Sequence, residues 1–179
     1  MRFFLTGYMG SGKSTLGKRL ARRSGLAFLD LDEYFEQKFR TSISLFFERF
    51  GEASFRKLEH EVLKEVIDQF ENAVISTGGG TPCFYGNMDI MNQNGVTIYL
   101  KLPAAVLASR LSNSPFRYKR PKLKGLDKNT LLETVQENLI EREVFYNQSK
   151  VVINAFNLDL EEVLALIRRS CQIPDLNSL

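Results

Sequence analysis

Gly7-Tyr8-Met9-Gly10-Ser11-Gly12-Lys13-Ser14-Thr15 lies between the apolar run Phe3-Phe4-Leu5 and a segment with Leu16, Leu20 and Leu26 at near-helical spacing. A glycine-rich turn between a strand and a helix lets consecutive backbone N–H groups point at phosphate oxygens, and the helix adds its positive end to the same anion site. Gly7, Gly10 and Gly12 supply the backbone freedom. Lys13 is placed to reach the β- and γ-phosphates, and the Ser14 hydroxyl to ligate the Mg2+ that bridges them. The stretch therefore reads as a P-loop for a nucleoside triphosphate, and it sets the fold class.

Outward from the loop, strand-like apolar runs recur at 3–5, 27–29, 73–76, 96–100 and 151–153, with helix-length periodic segments between them. Alternation of this kind predicts an α/β fold with a parallel sheet, helices on both faces and ligands at the carboxyl ends of the strands. The chain has 179 residues, 44% of them hydrophobic, which suits one domain with a well-buried core. A net charge of +3 without a basic block predicts no nucleic-acid partner. No run of about eighteen apolar residues occurs, so no membrane association is expected and the cytosol is the predicted location. Cys83 and Cys171 stand outside any Cys-x-x-Cys pattern and are read as reduced bystanders. His60, the single histidine, reads as a surface residue on a helix-like segment.

Four further groups of residues carry possible chemistry. Asp30-Leu31-Asp32 closes the second strand run, and extended alternation would turn both carboxylates toward the nucleotide site, one to hold Mg2+ directly or through water, the other to orient or deprotonate an acceptor hydroxyl. Asp32 also reads as a helix N-cap. Arg56 and Glu59, three apart on a helix-like run at 54–70, read either as a clamp for an acidic substrate or as a surface ion pair, and spacing alone favours the surface pair. Gly78-Gly79-Gly80 reads either as a close-approach site offering the N–H groups of Gly79 and Gly80 or as a flexible turn before Pro82. The basic stretch 112–125 holds Arg117 and Arg120, candidates for an arginine that neutralises charge on the transferring phosphate as a mobile lid closes. Arg142 reads on spacing alone as a charged surface residue.

Taken in order, the P-loop, Asp30-x-Asp32, Phe55-Arg56-x-x-Glu59, Thr77-Gly78-Gly79-Gly80, Arg120-Pro121 and Arg142-x-x-x-Tyr146 resemble the shikimate kinase family over nearly the whole chain. The resemblance implies a P-loop NTPase fold of the nucleoside monophosphate kinase type: a five-stranded parallel sheet flanked by helices, with a substrate-binding helical segment at about 32–61 and a mobile lid at about 112–125. It implies transfer of the γ-phosphoryl group of ATP to the 3-hydroxyl of shikimate, with Mg2+, by a monomer. On the same basis Gly10, Ser11, Gly12, Lys13, Ser14 and Thr15 bind the nucleotide phosphates, Arg110 lies along adenine, and Asp30 reaches Mg2+ through water. Asp32 meets shikimate hydroxyls and acts as base. Arg56, Arg142 and the Gly78–Gly80 stretch hold the substrate, Phe47 and Phe55 wall its pocket, and Arg120 is the lid arginine. The segment 153–157 lacks the arginine and proline the family often places near adenine. Rival readings are a gluconate kinase of the same fold, disfavoured by Phe-Arg-x-x-Glu with three glycines, and a non-catalytic nucleotide-binding module, disfavoured by the lack of an Asn-Lys-x-Asp motif.

Overall fold

The fold is built on strands whose side chains are divided by parity between two cores. The computed structural model describes residues 1–114 and 127–171. Its sheet contains β1 (Arg2–Thr6), β2 (Ala27–Asp30), β3 (Ala73–Ser76), β4 (Val96–Lys101) and β5 (Val151–Asn154), in the order β2-β3-β1-β4-β5. Every pairing is parallel; Phe4 aligns with Ile75 on one side and Thr97 on the other. Phe4, Ala73 and Ile75 point to one core, and Phe3, Leu5, Val74 and Ile98 to the other. Burial on both faces makes these strands read as continuous apolar runs rather than alternating ones.

Helices α1 (Lys13–Ser24), α5 (Ala104–Ser112), α6 (Lys128–Tyr146) and α7 (Leu160–Cys171) cover the second face, while α2 (Leu31–Phe39), α3 (Ile43–Gln69) and α4 (Asn87–Asn94) cover the first. Five strands matching the predicted runs to within a residue at each end, all parallel, establish the expected architecture. The expected lid at 112–125, including Arg117 and Arg120, lies from residue 115 onward outside the described residues.

Two local expectations need correction. The helix at 54–70 begins at Ile43, where Ser42 accepts a hydrogen bond from the Leu45 N–H at 3.2 Å, and is broken at Gly51, whose φ is 76°. Strand β2 ends at Asp30, and Asp32 already sits in the first turn of α2. Asp30, not Asp32, is the N-cap: its carboxylate accepts from the Asp32 N–H at 3.1 Å. The chain turns into a helix at Leu31 because Asp30 satisfies an otherwise unpartnered helix-end donor and Leu31 buries in the core.

Candidate active site

The P-loop joins β1 to α1 at the carboxyl edge of the sheet, so its backbone donors and the N-terminus of α1 face the same space. Gly12, the N-cap of α1, has φ 101°, a conformation a side chain would strain, and this leaves the first turn open to an anion. Lys13 is buried, and its Nζ donates to the Gly7 and Tyr8 carbonyls at 2.8 and 3.1 Å, which holds the ammonium across the mouth of the loop. The Ser11 hydroxyl is buried without a hydrogen-bond partner among the described residues, an acceptor and donor in the loop's interior that suits a phosphate. A cavity of about 650 Å³ opens here, lined by Gly10, Lys13, Ser14, Thr15, Asp30, Asp32, Gly79 and Arg110 among others.

At one wall of that cavity the Ser14 hydroxyl donates to Asp30 Oδ2 at 2.6 Å, with the Ser76 hydroxyl 3.3 Å away. Giving its proton to Asp30 leaves the Ser14 oxygen lone pairs for a cation. The donors are all hard oxygens, the set Mg2+ prefers, and among the described residues no cluster of three or more His, Cys, Asp or Glu could hold a metal by itself. That donor set fits a magnesium ion carried mainly by phosphate and water. Arg110, exposed on α5, donates to the Gly10 carbonyl at 3.3 Å and so lies beside the loop's outer rim.

The second wall is the glycine stretch after β3, where four functional side chains converge. An added Cβ on Gly78 would stand 2.7 Å from Asp32 Oδ1 and 2.8 Å from Glu59 Oε1; on Gly80, 2.4 Å from Arg56 Nη2; on Gly79, 3.6 Å from Arg142 Nη1. At Gly78 and Gly80 close approach, rather than flexibility, is therefore what glycine provides. The Tyr146 hydroxyl donates to the Gly79 carbonyl and ties α6 to the stretch. Burial pushes the Tyr146 phenol well above its ordinary pKa, so it stays a donor.

Arg56 is buried, contrary to the surface pairing that spacing favours. Its Nη1 donates to Glu59 Oε2 at 2.7 Å, and Glu59 accepts in turn from the Thr81 hydroxyl at 2.6 Å. Burial alone would lower the Arg56 pKa, but Glu59 and Glu52 hold it above its ordinary value and keep the guanidinium charged. Among the described residues three rings surround it, Phe84 at 4.7 Å, Phe55 at 5.0 Å and Phe47 at 5.9 Å from the guanidinium carbon. Arg142 is also buried, over the Tyr8 ring at 5.2 Å, with Nη2 donating to Asn138 Oδ1 at 3.4 Å. The sequence reading did not single out Phe84, Glu52 or Thr81. Glu52 stands four before Arg56, a helical pairing interval that offered the one usable signal.

His60 is half-buried, and its Nδ1 pairs with Asn87 Oδ1 at 2.7 Å, a tether of α3 to α4 rather than a free surface group. Cys83 sits close enough to Arg142 and Arg56 to feel their charge, yet burial outweighs it and pushes the thiol up to about 11. The raised value leaves less thiolate at pH 8, so Cys83 is expected to alkylate with iodoacetamide on the order of a hundredfold more slowly than an unperturbed thiol. Peptide mapping of the folded protein over time checks this; labelling at the rate of free cysteine would contradict it.

Comparison with known proteins converges on one family. The shikimate kinase family model matches residues 9–172. A shikimate kinase of Bacteroides thetaiotaomicron is 45% identical over 159 residues, covering 89% of each chain. A crystal structure of shikimate kinase from that organism superposes with a TM-score of 0.87 at 40% identity, covering 97% of this chain and 99% of the other. The shikimate kinase of Acinetobacter baumannii, solved in complex with shikimate, gives a TM-score of 0.82 at 29% identity, with 94% and 93% of the two chains covered.

Proposed function

This chain belongs to the shikimate kinase family, ATP-dependent kinases that phosphorylate an alcohol, and on that premise we propose how its own residues move the γ-phosphoryl group of ATP to the 3-hydroxyl of shikimate. The observation that carries the reading is the convergence of Asp32, Arg56, Glu59 and Arg142 on Gly78-Gly79-Gly80, directly beside the P-loop.

In this reading the loop N–H groups of residues 10–15 and the Lys13 ammonium hold the β- and γ-phosphates. Ser14, and Asp30 through water, would hold Mg2+, which when bound would neutralise phosphate charge. Arg110 lies along adenine. Arg56 and Arg142 pair with the substrate carboxylate, an arrangement favoured by a guanidinium already desolvated and aimed by Glu59. Backbone groups of the glycine stretch meet ring hydroxyls, and Phe47 and Phe55 wall the ring. Asp32 accepts the proton of the attacking hydroxyl as its oxygen bonds to phosphorus and the bond to the ADP oxygen breaks. Arg120, which lies outside the described residues, is assigned by the family resemblance to complete the charge neutralisation from a lid at about 112–125, and the substrate-binding segment is taken as about 32–61. We also take the protein to act as a cytosolic monomer; among the described residues no helix is long and apolar enough to cross a membrane.

An ADP-release assay with ATP and Mg2+ tests the reading directly. Release is expected with shikimate and not with gluconate or without an acceptor. Release with gluconate would discard the substrate pocket but keep the fold, and release without any acceptor would identify a hydrolytic module.

A further inference from the structure

Among the described residues two acids share Arg56, and they are held in different ways. Glu59 is a fixed partner: its side chain is 3% exposed, it receives Nη1 at 2.7 Å, and the Thr81 hydroxyl locks its other oxygen. Glu52 meets Arg56 through Oε1, which receives Nε at 3.4 Å and Nη2 at 3.1 Å, long for charge-assisted bonds. Its side chain is 34% exposed, and it directly follows Gly51, where α3 is broken.

Among the described residues, the surroundings of Arg56 leave one edge for exchange. Phe84 and Phe55 pack on the guanidinium, and Gly80 lies so close to Nη2 that an added Cβ would fall 2.4 Å away. Nη1 is committed to Glu59. The Nε–Nη2 edge is the fork a carboxylate pairs with in two parallel bonds, and that is where Glu52 sits.

We propose that Glu52 is a built-in competitor of the acidic substrate: its carboxylate occupies the Nε–Nη2 edge of Arg56 between turnovers and swings toward solvent at the Gly51 break when the substrate carboxylate takes that edge. The inference rests on the reading that Arg56 clamps the substrate carboxylate. Were Glu52 to stay in place, two carboxylates would meet at contact distance over one guanidinium, and like charges there repel strongly. Glu52 thus holds Arg56 aimed while the site is empty of substrate and sets, by its departure, how tightly the acid binds.

The test measures shikimate binding by calorimetry without nucleotide, for the wild type, E52Q, E52D, R56A and the double variant E52Q/R56A, with Tm as a check of folding. E52Q, which keeps size but weakens the pair, is expected to tighten shikimate binding about three- to tenfold, the span of a partly exposed ion pair at its upper end. E52D, too short to reach the edge, is expected to do the same, and the KM for ATP is expected to stay unchanged in both. R56A is expected to weaken shikimate binding at least about tenfold, and E52Q is expected to add nothing in its background. Undiminished binding in R56A would overturn the clamp and the competitor together. Weakened binding in R56A with no gain, or a loss, in E52Q and E52D would leave the clamp standing and overturn the competitor. A gain that persists in the double variant would also overturn it, because Glu52 would then act by long-range charge and not through Arg56.

Discussion

Lys13→Ala is expected to lower the turnover number by at least about a thousandfold while the protein stays folded, the scale at which removing one fixed positive charge from a transferring phosphoryl group acts. Nζ sits across the loop between the Gly7 and Tyr8 carbonyls, so the charge is in place before nucleotide arrives and needs no reorganisation at the moment of transfer. Losing those bonds in a buried setting costs about 1–3 kcal/mol of stability, within the margin of a domain with two extensive cores. Lys13→Arg is expected to recover little, because a planar fork does not replace a compact ammonium held by two carbonyls. Single-turnover ADP release together with Tm separates the effects. Turnover within tenfold of the wild type would dismiss Lys13 as the phosphate-facing charge.

The contrast between Phe4 and Arg56 explains what could be read from sequence. Phe4 belongs to a central parallel strand buried on both sides, so the local run of apolar residues already contains the information needed to place it. The P-loop is likewise local: its glycines, Lys13 and Ser14 lie within one turn between strand and helix. The surroundings of Arg56 are not local. The same i, i+3 spacing with Glu59 serves an exposed pair equally well, and what buries this one is Gly80 pressed against Nη2, Phe84 over the guanidinium and Thr81 behind Glu59, all from beyond β3. Arg142 is hidden from sequence for a similar reason, because the Tyr8 ring that covers it comes from the opposite end of the chain. For Asp30 and Asp32 the extended geometry expected from the sequence is not the one the chain adopts. Strand alternation stops at Asp30, and the two carboxylates line one cavity because capping α2 turns Asp32 back toward Gly78.

Asp32→Asn is expected to reduce kcat between about a hundredfold and ten-thousandfold, the range spanned by loss of a positioned general base, with a much smaller change in the KM for shikimate. Asparagine keeps the size of the side chain and its capacity to hydrogen-bond a hydroxyl, and Asp32 contacts the Gly78 backbone edge, not a packed core, so substrate placement survives. What is lost is a site for the proton. Asp30→Asn is the matched control: its carboxylate accepts from Ser14 at 2.6 Å and caps α2, so its loss is expected to raise the Mg2+ and ATP requirement and leave the shikimate dependence alone. If Asp32→Asn instead raised the KM for shikimate and spared kcat, Asp32 would hold the hydroxyl without taking its proton. The size of the kcat loss carries mechanistic content as well. In a loose transition state the attacking hydroxyl has bonded little to phosphorus and has gained little acidity, so a base contributes at the low end of the range; in a tighter one it contributes at the high end. Asp32→Asn thus reports on how far the new bond has formed when the old one breaks.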